Sequence, residues 1–402
     1  MILGHVYQWG IIGAFITLPL IFIKLPINFS ISDSFLCISM FVVGLNWLYR
    51  KNSIRLTSNV FNVPIMLLLI GFSLSVVSSN NPMEAFTSIV QFLFIFILSY
   101  TVLRYSSNFK ILVLSFTFPT LLIVTFLCLF SVYGIDLSQG MALLELGWGG
   151  RYTFGDNEPN IAARLILQIC PVLLIWIFYS SNTITRLFGL LMLLMSSYIV
   201  VVTASRSAIL IFLVGIICFV FFTKKMNSEV FKNVLLGGLC TASVFLLLVI
   251  NRTDFNDISG PLQRYSTIFD MQRSPSSMQR YNVIQQAFDE INSSPLIGLG
   301  LENSSGYTGT VTHNPLILMW LENGILGIVG FSMIYIIMIL YVYKSYQFSF
   351  FRDPYLMALC IITIMMVFGD MFMANSYKRY LWLPALLMLV QFASYRDEII
   401  ID

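Results

Sequence analysis

Apolar runs of about 20 residues recur from one end of this chain to the other, and nothing else in the sequence restricts its fold as strongly. A run of that length crosses the hydrocarbon core of a bilayer as a helix, the form that satisfies its own backbone polar groups. The composition agrees: 58% of the 402 residues are hydrophobic and only 10% are charged. Short segments with period-two alternation, the mark of a membrane barrel, are absent. The expected fold is all-α, a polytopic helical membrane protein formed by one integral membrane domain over residues 1–402. Twelve spans are expected, at approximately 8–26, 34–49, 60–78, 85–103, 111–133, 160–179, 184–203, 206–223, 232–250, 315–343 (broken near Gly324), 354–374 and 379–395. The first run, Trp9 to Ile23, has no basic leader and no small-residue cleavage site, so it reads as a retained span.

Loop charge sets the orientation. Arg50, Lys51, Arg55, Arg104, Lys110, Arg186, Lys224, Lys225, Lys232, Lys344 and Arg352 fall in one set of connections. The opposite short connections carry Lys24 and the pair Lys378-Arg379, which goes against the trend. The positive-inside rule places the first set and both termini in the cytoplasm. Two long connections then lie outside, about 134–159 and, between spans nine and ten, about 251–314. Within the second, Ser276 to Ile291 reads as an amphipathic helix with Tyr281, Ile284, Phe288 and Ile291 on one face. Ser276 or Ser277 would cap it and Ser294-Pro295 would stop it. A turn, Gly298-Leu299-Gly300, leads on toward His313.

Several function classes drop out. All six cysteines lie in expected spans with no CxxC pair, which argues against a disulfide framework or a zinc site. A net charge of +3 with scattered basic residues gives no footprint for nucleic acid. No DxD pair, HExxH motif or second outer-face histidine suggests a metal. Asp156 and Glu158 are a weak pair on a loop, and the expectation is metal-independent chemistry without a cofactor.

The outer half does hold chemistry. His313, one of two histidines, stands just before Asn314-Pro315, a good N-cap followed by a favoured first helical residue. The positive end of that helix disfavours imidazolium, so the ring is expected to be neutral and able to act as a general base. Outer arginines are the second anomaly: Arg151, Arg164, Arg206, Arg252, Arg264, Arg273 and Arg280. Arg252, Arg264 and Arg273 read as solvated. Arg206 sits in Ser205-Arg206-Ser207-Ala208-Ile209-Leu210, between two spans with almost no loop, where a charge is costly unless paired or wetted. If Arg206, Arg280 and Arg151 converge, their forked donors make a phosphate site. A base beside a phosphate clamp suits transfer from a lipid-borne pyrophosphate ester to a hydroxyl group. A transporter or flippase for such lipids is the competing class, but no matching pair of broken helices occurs in two halves.

Three stretches resemble the O-antigen ligase and polymerase superfamily. His313-Asn314, nine residues and Gly324-Ile325-Leu326-Gly327 are similar to its HN-x9-GxxG signature, which contains the H-x10-G spacing. Ser205 to Leu210 resembles its SRxA and R-x3-L motif. Gly155 to Ala162 resembles its G-x-(D/N)-x-PN-x-A segment, with one extra residue before Pro159. The resemblance covers about residues 148–330. It implies a GT-C-like, metal-independent, inverting glycosyltransferase of the bacterial inner membrane with a periplasmic active site. The implied donor is an undecaprenyl-pyrophosphate-linked glycan, and the acceptor is lipid A-core for a ligase or a lipid-linked repeat unit for a polymerase. By the same resemblance His313 is the catalytic base, Arg206 contacts the pyrophosphate and Arg280 is the loop arginine of the active site. Arg151 is a further pyrophosphate contact, and Asn160 and Asn314 are helpers. The H-x10-G and R-x3-L pair favours the ligase over the polymerase.

Overall fold

A computed structural model of the protein describes residues 2–20, 24–25, 29–50, 61–104, 106, 108–133, 145–147, 151–153, 159–226, 231, 275–310, 312–347, 353–373 and 378–401. In chain order the helices are α1 (Ile2–Thr17), α2 (Ile31–Arg50), α3 (Asn62–Val77), α4 (Pro82–Leu93), α5 (Tyr100–Leu103), α6 (Phe109–Tyr133), α7 (Pro159–Leu167), α8 (Cys170–Tyr179), α9 (Thr183–Val202), α10 (Arg206–Met226), α11 (Pro275–Ser293), α12 (Ser304–Thr308), α13 (Pro315–Gln347), α14 (Pro354–Asp370) and α15 (Arg379–Ile401). A π-helical turn, Phe94–Ser99, joins α4 to α5. Two antiparallel ribbons, β1 (Lys24–Leu25) with β2 (Phe29–Ser30) and β3 (Glu145–Gly147) with β4 (Arg151–Thr153), are the only strands among the described residues.

The chain is a helical membrane protein. Five helical stretches are long and apolar enough to cross a membrane, including Pro159–Tyr179 across α7 and α8 and Pro315–Gln347 in α13. Each expected span except the ninth overlaps a described helix, but the first, expected over 8–26, is helical only to Thr17 and Lys24–Leu25 is a strand; residues 232–250 lie outside the described residues. The bundle closes on an aromatic core in which Trp382 of α15 packs edge-on against Phe96 and Phe331 and stacks on Tyr335.

Ion pairs tie connections at the ends of the bundle. Arg379, half of the pair that goes against the charge trend, donates from Nε to Asp33 Oδ1 at 3.1 Å in the first turn of α2. Its buried partner accounts for its place. At the other end Lys110 meets Asp353 at 2.6 Å, linking the start of α6 to the start of α14.

The feature that shapes the outer end is a joint in α13. Gly324 has φ 63° and ψ −158°, which divides α13 into a half-helix (315–323) and a full helix (325–347). That backbone region is open to glycine alone, and a Cβ there would overlap the Leu296 carbonyl. Gly327 lets the two halves fold together, because a Cβ on it would collide with Met319 of the half-helix. Breaking a helix frees backbone groups that must find partners within the protein. They do: Leu299 N–H donates to Leu321 O (2.8 Å), Gly300 N–H to Glu322 O (3.2 Å) and Ile325 N–H to Leu296 O (3.3 Å). Ser75 Oγ of α3 adds a second bond to Glu322 O at 2.6 Å. The turn Gly298-Leu299-Gly300, read from the sequence as a lead-in to His313, is thus a strap over the joint.

Two expectations need correction. The amphipathic helix is real but begins at Pro275, and its buried stripe is Val283, Ala287 and Ile291. Tyr281 and Phe288 are 50% and 42% exposed. Beside a membrane an apolar side chain can face lipid as well as protein, so hydrophobicity alone does not mark the packed face. Arg151, expected in a Gly-Gly-Arg turn, is the first residue of β4 and pairs with Gly147. Much of the two long connections, with Asp156, Glu158, Arg252, Arg264 and Arg273, lies outside the described residues.

Candidate active site

The site is assembled at the end of the bundle where α14 stops and α10 starts. Asn314 caps the half-helix, its Oδ1 accepting from Leu316 N–H (2.9 Å) and Ile317 N–H (3.3 Å). The cap fixes the backbone of His313, the preceding residue, at the positive end of the half-helix. Asn314 Nδ2 lies 3.9 Å from the Met371 sulfur, so this corner rests on the residue after α14.

The same corner receives Arg206. A Cβ on Gly215 of α10 would lie 2.7 Å from Met365 of α14, and one on Gly369 would lie 2.8 Å from Ile211 of α10. The two helices are therefore antiparallel, and this register carries the first turn of α10 just past Asp370. Arg206 is the first residue of α10 and is half-buried. Ala204, with φ 48°, makes the sharp corner from α9. Ser205, fully buried, donates to Asn160 Oδ1 at 2.8 Å and so binds this corner to the first turn of α7.

Arg280 comes from a different direction. It is half-buried and lies three, seven and eleven residues before Val283, Ala287 and Ile291, on their face of α11. That face packs on the half-helix, where Ala287 and Ile291 cluster with Leu321, and Phe288 meets Trp320 edge-on. Trp320 Nε1 also donates to Pro295 O at 3.2 Å, which fixes the end of α11 against the half-helix. The β4 strand that carries Arg151 lies against α7; the Arg151 side chain is outside the described residues.

Asn314 thus touches Met371 just past α14, the register of α10 on α14 carries the start of α10 to the same end of the bundle, Ser205 joins that start to Asn160, and Arg280 lies on the face of α11 that packs on the half-helix. An imidazole before a helix N-terminus, with arginines on the neighbouring elements, is the equipment needed to accept a hydroxyl proton and to hold a phosphate leaving group. Among the described residues no three His, Cys, Asp or Glu side chains gather as a metal site.

One buried cluster escaped the sequence reading. In the sequence Arg164 is one outer arginine among seven, yet its Nη2 lies 2.6 Å from Asp370 Oδ1. Tyr335 OH donates to the other carboxylate oxygen at 2.8 Å. The available signal was a single charge inside each of two apolar runs, around Arg164 and Asp370.

Fold and site together define a multi-pass helical membrane protein with a polar corner at the N-terminus of a broken helix. Residues 190–332 match the family model described as O-antigen ligase, a match that supports the O-antigen ligase and polymerase superfamily. The match includes Arg206, Arg280, His313 and Asn314 and excludes Arg151 and Asn160. No curated protein matches the chain.

Proposed function

We propose that the protein is an O-antigen ligase of the bacterial inner membrane, which moves a glycan from undecaprenyl pyrophosphate to a sugar hydroxyl of lipid A-core at the periplasmic face. The observation that carries this reading is the corner itself, where the N-terminus of the half-helix with His313 and the start of α10 with Arg206 both meet the end of α14. His313 takes the proton of the acceptor hydroxyl as its oxygen attacks the anomeric carbon. The bond from that carbon to the pyrophosphate oxygen breaks, and undecaprenyl pyrophosphate leaves with the electron pair. A single displacement of this kind inverts the anomeric centre. Arg206 and Arg280, with Arg151 as a further contact, stabilise the charge that grows on the leaving group. Asn314 orients His313, and Asn160 orients Arg206 through Ser205. The reading needs no metal, so transfer is expected to survive EDTA.

The test is complementation of ligase-null and polymerase-null strains, read on lipopolysaccharide gels. Restored O-antigen on lipid A-core in the ligase-null strain is the expected result. Rescue of the polymerase-null strain alone would make the acceptor a lipid-linked repeat unit instead. His313→Ala should abolish transfer while donor still accumulates outside; donor stranded inside would point to a flippase. Arg206→Lys should be strongly impaired although charge is kept, because the forked geometry is lost. Normal laddering in that variant would remove the clamp role.

A further inference from the structure

Arg164, Asp370 and Tyr335 come from three different helices, α7, α14 and α13, and are 2%, 0% and 5% exposed. Both carboxylate oxygens of Asp370 are used, one by the guanidinium and one by the phenol. Gly369 makes the approach possible, since a Cβ there would lie 2.7 Å from Arg164 Nη2. Apolar residues of similar volume hold helices together about as well as a buried ion pair, and often better. An ion pair kept inside a bilayer therefore asks for a role beyond cohesion.

Its connections suggest that role. On one side Arg164 stands one turn from Asn160, on the same face of α7, and Asn160 accepts from Ser205, the residue before Arg206. On the other side Asp370 is followed by Met371, on which Asn314 rests beside His313. Three side-chain contacts, Ser205 to Asn160, Arg164 to Asp370 and Asn314 to Met371, joined by chain neighbours and one turn of α7, lead from the arginine of the clamp to the histidine of the base, with the ion pair in the middle.

We propose that Arg164, Asp370 and Tyr335 are positioning residues: their buried cluster sets the spacing between the corner that carries Arg206 and the corner that carries His313. The proposal rests on the reading of those corners given above, and it adds residues that never touch substrate. Because the cluster fixes a distance and not a binding group, its loss should slow turnover and leave donor binding intact.

The test uses the full-length protein purified in nanodiscs with a synthetic undecaprenyl-pyrophosphate glycan as donor. Arg164→Met combined with Asp370→Asn removes both charges together and avoids stranding one of them. The expected result is a folded protein with donor affinity within about threefold of the parent and kcat lower by about 100-fold, the scale of a misplacement near 1 Å. Parental kcat in the folded double variant would make the cluster merely structural and overturn the proposal. Donor affinity falling in step with kcat would overturn it as well. Should the double variant fail to fold, Tyr335→Phe decides, with an expected loss of about tenfold in kcat from one charge-assisted hydrogen bond; an unchanged kcat there refutes the proposal. His313→Ala run alongside separates the two levels. Turnover that survives in His313→Ala defeats the reading of the site, whereas an inactive His313→Ala beside an active double variant defeats this inference alone.

Discussion

The joint at Gly324 and the ion pair at Asp370 lie in one bundle and handle buried polarity in opposite ways. At the joint, main chain answers main chain: the strap Leu296–Gly300 supplies the bonds that the broken helix has lost. At the ion pair, side chains do everything, and not all of them are matched. Arg164 Nη1, Gln168 Oε1 and Tyr380 OH are buried without a hydrogen-bond partner among the described residues. A joint made of backbone depends on one residue's conformational freedom and is indifferent to most side chains. A cluster made of side chains depends on each partner and leaves a charge behind when one is removed.

This contrast can be broken by experiment. Gly324→Ala should have the largest effect, because it forces a glycine-only backbone region and a collision with Leu296. A loss of stability above about 4 kcal/mol, seen as failure to yield monodisperse protein in detergent, is expected; a well-folded Gly324→Ala would mean that the joint relaxes easily. Arg164→Gln alone should cost about 3–5 kcal/mol in chemical or thermal denaturation, since Asp370 is left buried and unpaired. A loss below about 1 kcal/mol would show that water or a neighbouring group takes over from the guanidinium. Asn303→Ala tests the strap from its far side. Its amide donates to Ser78 O and Leu299 O and accepts from Asn80 N–H, and its removal should cost about 1–3 kcal/mol. Lys110→Met should change stability by less than about 0.5 kcal/mol: the lysine is half exposed and its pair with Asp353 is screened by solvent. An effect as large as that of Arg164→Gln would erase the distinction between buried and exposed pairs.

What could be read in the sequence was whatever the chain keeps contiguous. Asn314-Pro315 announces a capped helix start, and Gly324 with Gly327 marks the break, because local backbone rules act over a few residues. Periodicity puts Tyr281, Ile284, Phe288 and Ile291 on one face of α11, and of these Ile291 is buried while Tyr281 and Phe288 are exposed, because periodicity reports which residues are apolar, not which of them meet protein. The strap was invisible since its partners are main-chain atoms, which leave no residue signature. Arg164 and Asp370 are unreadable as a pair for another reason: 206 residues separate them, and only the tertiary approach of α7 to the end of α14 at Gly369 brings them into reach.

That separation has a consequence for how the protein is made. At a synthesis rate of about 5–20 residues per second, Arg164 leaves the ribosome about 10–40 s before Asp370 exists. Throughout that interval a guanidinium waits at the membrane without its counter-ion, although α7 can already dock on α9 and α10. Nascent chains halted before Asp370 is made should therefore be cleared by membrane proteases faster than chains halted after it has left the ribosome.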